Sequence, residues 1–217
     1  MDSSNVKDSY NTWANQYDTD INKTRDLESL ALQKILSGKY FDSCLEIGCG
    51  TGKNTNWLLE RSNYLLGVDI SEEMLKKAKA KINSPKVEFK LADINQAWFF
   101  TNKKFDLVSF SLVLEHISNL DFVFTEACKL LKPGGFIYLG ELHPFKQYTG
   151  SKARFTTEAG LQVVDCFNHS ISEFTRAGLS QKLQLADLQE LFDEDEQISI
   201  PRILTMLFQK PSNKMIV

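Results

Sequence analysis

Three glycines at alternate positions, Gly48, Gly50 and Gly52, follow directly on a short apolar run that carries the acid Glu46. The run predicts a buried strand, and a helix-like segment comes after the glycines. Glycine lets the backbone turn sharply and approach a ligand closely, and the free N–H groups at a helix start face that ligand. Because a carboxylate precedes the turn, the pattern indicates a nucleotide-type site that also binds a cationic group.

A second acid stands at a distance from the glycine turn that is typical of nucleotide sites. Residues 64–71 have the pattern of another strand, and Asp69 at its carboxyl end lies 17 positions after Gly52. In doubly wound sheets an acid about 20 residues beyond the turn binds ribose hydroxyls. Asp69 also has a plainer interpretation as a cap of the following turn. The glycines, the spaced acid and the two strand contexts together favour the ligand site.

These motifs resemble, in the same order, those of the class I S-adenosylmethionine-dependent methyltransferases. The resemblance extends over residues 44–142, a little under half of the chain, and beyond residue 143 it concerns only the general layout. The matching segments are the glycine turn at 46–52, the ribose acid within 68–71, the third-strand acid within 91–94, the fourth strand at 105–110 with residues 114–117 after it, and the turn at 131–135.

The resemblance implies S-adenosylmethionine as the cofactor, and it implies no metal. Glu46 is expected to face the ammonium end of the methionine portion, Asp69 the ribose hydroxyls, and Asp93 the adenine amine with Ile94 against the ring. Backbone groups near Phe110 are expected beside the methionine portion. The full set of expected cofactor-binding residues is Tyr10, Tyr17, Glu46, Gly48, Cys49, Gly50, Asp69, Ile70, Met74, Asp93, Ile94 and Phe110.

Strand and helix patterns alternate through the middle of the chain, which predicts an α/β fold. We expect a Rossmann-like, seven-stranded, mostly parallel sheet with helices on both faces, an N-terminal helical lid and a β-hairpin insertion after strand five. The chain is interpreted as one methyltransferase domain over 1–217, with the lid at 1–42, the cofactor-binding core at 43–142, and the acceptor-side insertion and closing strands at 143–217. The predicted core strands are 43–47, 64–69, 86–91, 105–110 and 135–141, and the predicted helices between them are 53–61, 71–82 and 119–131.

The pattern changes after residue 143. Residues 154–157 and 162–167 flank a Glu-Ala-Gly turn and predict a β-hairpin. Ser170 and Glu173 form a capping-box sequence that opens a short helix. An insertion at this place lies on the ligand side of the sheet, so we expect it to wall the acceptor pocket. The two closing strands of the sheet are expected near 182–189 and 203–209.

An aromatic stripe marks the segment before the first strand. Residues 5–17 have helical spacing and place Tyr10, Trp13 and Tyr17 on one face. Such a stripe is usually core packing, but here the same face can also cover the cofactor. We therefore predict that residues 8–25 form a mobile lid over the cofactor site.

Two histidines are candidates for a general base that removes a proton from the acceptor. His143 follows strand five, and Pro144 predicts that the chain after it is extended and loop-like. His116 follows strand four, where the transferred methyl is expected, and is the second candidate. Three nearby polar residues are either contacts to an anionic group of the acceptor or part of an ordinary solvated loop: Lys146, Tyr148 and Lys152.

Composition excludes several other classes of protein. The net charge of −3 and the pI of about 5.7 provide no basic field for nucleic acid. The four cysteines show no Cys-x-x-Cys spacing, which argues against a zinc site, and three of them lie in apolar segments as reduced thiols do. No apolar run approaches the length of a membrane span. We expect a cytoplasmic enzyme whose partner is a small-molecule acceptor, and the oligomeric state stays open.

Other functions use some of the same features. A nicotinamide-dependent oxidoreductase usually carries Gly-x-Gly-x-x-Gly, whereas the third glycine here comes one position early, at Gly52. An RNA or protein methyltransferase is an alternative by substrate, although the Asn/Asp-Pro-Pro-Tyr signature of adenine-amine methylation is absent after strand four. A third alternative is a non-catalytic partner subunit that binds the cofactor. The intact Glu46, glycines and Asp69 argue against lost binding but not against lost chemistry.

Overall fold

A seven-stranded sheet is the centre of the computed structural model, which describes residues 3–158, 160–193 and 200–212. Its strand order is β3-β2-β1-β4-β5-β9-β8, and the first five of these strands run parallel. Strand β9 is antiparallel to both of its neighbours, β5 and β8. The predicted fold class is thereby confirmed. The sheet strands are β1 (Phe41–Ile47), β2 (Ser62–Asp69), β3 (Val87–Leu91), β4 (Phe105–Ser111), β5 (Leu131–Leu142), β8 (Gln184–Leu191) and β9 (Ile203–Gln209).

Seven helices surround the sheet in the described part of the chain. The polar residues that the sequence offers as caps begin several of them. Ser71 accepts a hydrogen bond from the backbone of Met74, and Ser170 and Glu173 form the predicted capping box. The helices are α1 (Ser3–Trp13), α2 (Lys23–Ile35), α3 (Thr55–Leu59), α4 (Glu72–Lys81), α5 (Leu120–Leu130), α6 (Pro144–Tyr148) and α7 (Ile171–Ser180), and Leu114–His116 adds one turn of 3-10 helix.

Both faces of the sheet are buried under helices. Helices α5 and α7 pack on one face, where Phe124 and Phe174 meet sheet residues such as Val108. Helices α2 and α3 cover the other face, where Leu32 and Leu58 belong to one cluster with sheet residues. This double cover explains why the central strands are almost continuously apolar.

The insertion after β5 differs in part from its prediction. The expected hairpin forms from β6 (Arg154–Thr157) and β7 (Gly160–Val163), which pair antiparallel apart from the main sheet. The prediction of an extended loop after Pro144 is wrong, because a short helix, α6, begins there. Proline at the first position of a helix loses no hydrogen bond, and its fixed φ suits the helix. His143 caps this helix through a ring nitrogen that accepts from Phe145.

Within the described residues no helix is both long and apolar enough to cross a membrane.

Candidate functional site

The glycine turn lies at the carboxyl end of β1 and takes a conformation that only glycine adopts without strain. Gly48, Gly50 and Gly52 all have positive φ angles, of 67°, 54° and 84°. A Cβ atom at Gly48 would lie 2.7 Å from the side chain of Val113. At Gly50 the same atom would meet nothing within 4 Å. The turn is therefore packed on one side and leaves open space beside Gly50.

Asp69 is held beside this turn by the backbone. Its Oδ2 accepts a hydrogen bond of 2.8 Å from the N–H of Gly50, and its Oδ1 accepts one of 2.8 Å from Ser71. Burial raises the pKa of the carboxyl, while these backbone donors act in the opposite direction. Each oxygen keeps a lone pair for a further donor. The side chain is thus oriented in advance for a ligand that offers two hydroxyls.

A cavity with about 710 Å³ of empty space, which includes space open to solvent, lies at this edge of the sheet and is called here the glycine-turn cavity. It is bounded by the turn, by the ends of β2 and β4 and by helix α1. Its lining residues are Val6, Tyr10, Tyr17, Gly48, Gly50, Val68, Asp69, Ile70, Met74, Ala92, Asp93, Ile94, Asn95, Ser111, Leu112, Val113, His116 and Ile117.

Most of the predicted cofactor residues line this cavity, but three do not. Glu46 is buried below it, and its Oε2 accepts a 2.6 Å hydrogen bond from Thr55. Phe110 is fully buried and stacks on Phe124 in the core. Cys49 is also buried, and burial raises the pKa of its thiol. The roles expected for these three residues stay predictions, and Ser111 to Val113 take the wall position expected of Phe110.

Buried acids gather below the cavity, and two of them are absent from the sequence prediction. Burial raises the pKa of Glu46 to about 8 and that of Glu28 to about 7, and it raises the pKa of Glu141 as well. Glu141 Oε1 accepts from the backbone of Val113 and Leu114, while its Oε2 has no partner. Among the described residues, no cationic side chain lies within 4.0 Å of these three acids. Glu141 is an acid at the carboxyl end of a strand, the same signal that marks Asp69, whereas Glu28 lies mid-helix and has no such signal.

His116 lies on the wall of the glycine-turn cavity and is held from both sides. Its Nδ1 is 2.7 Å from the carbonyl oxygen of Asp165, and its Nε2 is 2.8 Å from the hydroxyl of Tyr10. A carbonyl can only accept, so Nδ1 carries the proton and Nε2 accepts from Tyr10. Burial keeps the pKa of Tyr10 well above its ordinary value, so the phenol keeps its proton. The pair forms an oriented proton acceptor at the cavity.

His143, the other candidate base, occupies a different environment. Its side chain is fully buried, with Nδ1 accepting from Phe145 and Nε2 at 2.8 Å from Glu190. Burial lowers the pKa of the imidazole, and Glu190 counteracts this effect. His143 lines neither of the two cavities described here. The catalytic role predicted for it receives no support from its position.

A second cavity, of about 960 Å³, adjoins the first and is called here the arginine cavity. Tyr10, Tyr17 and Leu112 line both cavities and so mark where they meet. Leu112 has a φ of 54°, which a non-glycine residue rarely adopts and which often marks a functional site. The other residues of the arginine cavity are Trp13, Ile21, Asn22, Thr24, Arg25, Glu115, Leu142, Ser151, Lys152, Ala153, Arg154 and Arg202.

Helix α1 and the hairpin together cover the junction of the two cavities. Trp13 stacks on Phe155 of β6 with ring centroids 4.9 Å apart, and Gln16 donates a 2.7 Å hydrogen bond to Thr156. The buried residues Trp13, Ala14, Met74, Phe155 and Val164 form one apolar group, called here the cap cluster. The lid segment and the insertion therefore pack against each other.

One group of three potential metal ligands occurs in the described residues. The ligand atoms of Glu115, His116 and Cys166 lie within 4.8 Å of one another, near the junction. Both nitrogens of His116 already take part in hydrogen bonds, to Tyr10 and Asp165. The three residues therefore form a hydrogen-bonded cluster.

Comparison with known proteins finds similarity to methyltransferases in the middle of the chain. A family model described as "Methyltransferase domain" matches residues 45–139. The "Ubiquinone biosynthesis O-methyltransferase" of Pelagibacter ubique is 32% identical over 101 residues, which are 46% of this chain and 41% of that protein. The "Demethylmenaquinone methyltransferase" of Leptospira interrogans is 36% identical over 98 residues, 42% of this chain and 39% of the relative. Residues 45–139 thus match a methyltransferase domain, in line with the resemblance to the class I S-adenosylmethionine-dependent methyltransferases that the sequence motifs carry. The chain spans less than half the length of these two curated relatives.

Solved structures of the family share the fold along most of the chain. The crystal structure of a putative S-adenosylmethionine-dependent methyltransferase from Listeria monocytogenes aligns with a TM-score of 0.73 at 23% identity, over 85% of this chain and 98% of that one. A complex of the protein DhpI with SAH aligns with a TM-score of 0.76 at 20% identity, over 97% of both chains. These structures share their fold with this chain, and the family model supports the methyltransferase resemblance over residues 45–139.

Proposed function

We propose that this protein transfers a methyl group from S-adenosylmethionine to a small-molecule acceptor by in-line displacement. The observation that carries the proposal is the meeting of two cavities at Tyr10, Tyr17 and Leu112. One cavity has the acids and the glycine turn of a cofactor site, and the other adjoins it. A donor and an acceptor bound in adjoining cavities have the proximity that a bimolecular displacement needs.

The glycine-turn cavity fits the cofactor by its chemistry. Asp69 would hold the ribose hydroxyls, Asp93 and Ile94 would contact the adenine, and the open space at Gly50 would admit the methionine portion. Among the described residues, Glu28, Glu46 and Glu141 have no cationic side-chain partner, and burial raises their pKa values; a nearby ligand with positive charge would favour their ionised form. When bound, the cofactor supplies an electrophilic methyl group on a sulfonium, and S-adenosylhomocysteine is the product after transfer.

His116 and Tyr10 are proposed to accept the proton that the acceptor loses. The Tyr10 hydroxyl donates to His116 Nε2, and its oxygen keeps lone pairs for a hydrogen bond from an acceptor N–H or O–H group. As the new bond to carbon forms, the acceptor proton moves to the Tyr10 oxygen and the phenol proton moves to Nε2. The Asp165 carbonyl then stabilises the imidazolium through Nδ1.

A small acceptor is favoured over RNA or protein by two observations. The cap cluster covers the junction of the cavities, and the net charge of −3 offers no general attraction for nucleic acid. Both relatives named above are methyltransferases of quinone biosynthesis by name, so their names also point to small molecules. The four cysteines are all free, which supports the predicted cytoplasmic location.

Calorimetry with S-adenosylmethionine and S-adenosylhomocysteine tests the cofactor assignment. Asp69→Asn keeps the shape of the side chain but loses its charge-assisted hydrogen bonds, so we expect affinity to fall tenfold or more, about 1.4 kcal/mol. Asp121→Asn, at an exposed position on α5, is the matched control and is expected to bind like the wild type. No binding by the wild type, or equal binding by Asp69→Asn, contradicts the assignment.

Catalysis is tested separately from binding. A panel of small metabolites with N–H, O–H and S–H groups is incubated with the protein and the cofactor, and release of S-adenosylhomocysteine is measured. Turnover with at least one compound supports the proposed enzyme. Tight cofactor binding with no turnover on small molecules, but with turnover on RNA or protein, would support the alternative substrates. Binding without any turnover would instead favour the non-catalytic subunit.

A further inference from the structure

We propose that the acceptor carries an oxyanion, a carboxylate or a phosphate-type group, and that Arg25 binds this group in the arginine cavity. The proposal rests on the proposed function, since it gives the chemical class of the acceptor for that same reaction. Its basis is a buried guanidinium that has no carboxylate within 4.0 Å in the described part of the chain.

Arg25 is 8% exposed and lines the arginine cavity. Its Nη1 donates to the carbonyl oxygen of Tyr17, and its Nη2 donates over 2.8 Å to that of Asp20. Both acceptors are neutral. The Nε atom is buried and has no hydrogen-bond partner. Two of the five guanidinium donors therefore have described backbone partners, and the remaining N–H groups of Nη1 and Nη2 are the ones that a ligand in the cavity could use.

Nearby acids are already engaged with other groups. Asp18 binds Thr51 at 2.6 Å and Lys81 at 2.8 Å, and the carboxylate of Asp20 accepts from the indole of Trp13 at 3.0 Å. Within the described ranges of the chain, no carboxylate lies within 4.0 Å of the Arg25 guanidinium. The guanidinium lies over the Tyr17 ring, whose centroid is 4.0 Å from Cζ, in a cation–π contact. A ring face stabilises the cation but does not neutralise it.

The other charges of the cavity strengthen this positive end. Lys152 and Arg154 are exposed at the start of the hairpin. Arg202 is already paired with Asp193, which binds it through both carboxylate oxygens. Glu115 is the one acid among the lining residues, and it belongs to the cluster around His116. When Arg202 is left out because Asp193 pairs with it, the lining residues still carry more positive than negative charges.

A buried cation that lacks a counter-ion is unfavourable unless a ligand supplies the missing charge. The planar guanidinium matches the geometry of carboxylate and phosphate oxygens, which it can bind in pairs. An acceptor with an oxyanion at Arg25 would still present its other end to Tyr10 and Leu112, because the same cavity includes these residues. Arg25 would then be a specificity-determining residue that positions the acceptor beside the cofactor.

The experiment uses the full chain saturated with S-adenosylhomocysteine and small probes of matched shape. Benzoate and phenylphosphonate are the anionic probes, inorganic phosphate is the bare anion, and benzamide is the neutral analogue. Binding is measured by ligand-observed NMR. We expect at least one anionic probe to bind tenfold or more tightly than benzamide, and Arg25→Gln to reduce that affinity roughly tenfold. The carboxylate and phosphonate arms decide which oxyanion the cavity favours.

Two further variants keep the test decisive. Arg176→Gln removes the same charge from an exposed position on α7, and it should bind the probes like the wild type. Should Arg25→Gln fail to fold, the double variant Lys152→Gln with Arg154→Gln changes only exposed side chains and should weaken anion binding severalfold.

The outcomes separate this proposal from the proposed function. Equal affinity for benzamide and the anions overturns the inference, and so does undiminished anion binding by both Arg25→Gln and the hairpin double variant. In either case, binding of S-adenosylhomocysteine leaves the methyltransferase assignment intact. A protein that does not bind S-adenosylhomocysteine at all contradicts the proposed function instead.

Discussion

The two cavities differ in how the chain builds them. The glycine-turn cavity takes most of its wall from one contiguous stretch, residues 48–117, where backbone turns and strand ends fix each position. The arginine cavity takes its charged groups from four places far apart in sequence: Arg25, Glu115, Lys152 with Arg154, and Arg202. A site of the first kind leaves a local signature in the sequence. A site of the second kind exists only after the chain has folded.

The two cavities also differ in the ionisable groups beside them. Near the first lie Glu28, Glu46 and Glu141, whose pKa values are raised by burial, and in the second lies Arg25; in the described part of the chain none of the four has an ion-pair partner. Each arrangement favours a ligand of the opposite charge. Under the two proposals made above, a cationic donor and an anionic acceptor would be directed to different cavities by the charged groups nearby.

The largest expected effect is a loss of turnover on substitution of a histidine, because the two histidines are the candidates for the base that accepts the proton of the acceptor. His116→Gln removes the nitrogen that accepts from Tyr10, so turnover should fall roughly 10²-fold, a common size for the loss of a general base. Affinity for S-adenosylhomocysteine should change little. Steady-state kinetics with an acceptor found by the screen would measure the effect.

His143→Gln is the companion variant for this comparison. It removes a buried contact to Glu190 and a helix cap, so we expect it to lower thermal stability more than turnover. The opposite result, a large loss of turnover for His143→Gln and none for His116→Gln, would restore the role that the sequence predicts for His143. It would also remove the proposed Tyr10–His116 proton path.

The contrast between the cavities explains what the sequence could predict. Gly48, Gly50 and Asp69 were predictable because positive φ angles and a strand end with a spaced acid leave marks within about 25 residues. The alternation of strand and helix patterns predicted the sheet for a similar reason, because the burial of each strand is visible in its own run of apolar residues. Asp93, the acid after the third strand, was found by the same logic and also lines the cavity.

The acceptor side was predicted less well because its geometry depends on tertiary contacts. His143 has the expected place after β5, yet its ring is buried and caps helix α6. The sequence did not predict this helix, because Pro144 indicates the start of a loop. In the sequence Arg25 looks like an ordinary helix residue, and only the folded chain brings Tyr17 and Asp20 around it. Nothing in the local sequence shows that its charge lacks a partner.

A smaller effect should appear in the pH dependence of stability, and it tests the acidic side of the comparison. Burial raises the pKa of Glu46 from about 4.5 to about 8, so the native protein holds a proton that the unfolded chain releases. The free energy of unfolding of the ligand-free protein should therefore fall as pH rises from about 5 to 8. One such group contributes at most about 1.4 kcal/mol per pH unit.

Denaturant unfolding at several pH values would measure this slope. Glu46→Gln should flatten it, because the amide does not titrate, whereas the exposed Glu60→Gln should leave the slope unchanged. A stability that rises with pH over this range in the wild type, or an equal slope in Glu46→Gln, would show that Glu46 is ionised in the native protein. The acidic cluster would then need a cation other than the cofactor.

The smallest expected effect is a change in hydrogen exchange in the lid segment and the hairpin, which pack together beside both cavities. Because Trp13 stacks on Phe155 and Gln16 bonds to Thr156, the lid and the hairpin should respond to the cofactor as one unit. Bound S-adenosylhomocysteine should slow hydrogen exchange in residues 8–25 and 154–157 together, roughly threefold to tenfold, while α7 stays unchanged. Phe155→Ala removes the stack and should limit the protection to the lid segment. Equal exchange with and without the ligand in residues 8–25 would mean that Tyr10, Trp13 and Tyr17 are plain core packing, and water exclusion would then depend on the hairpin alone.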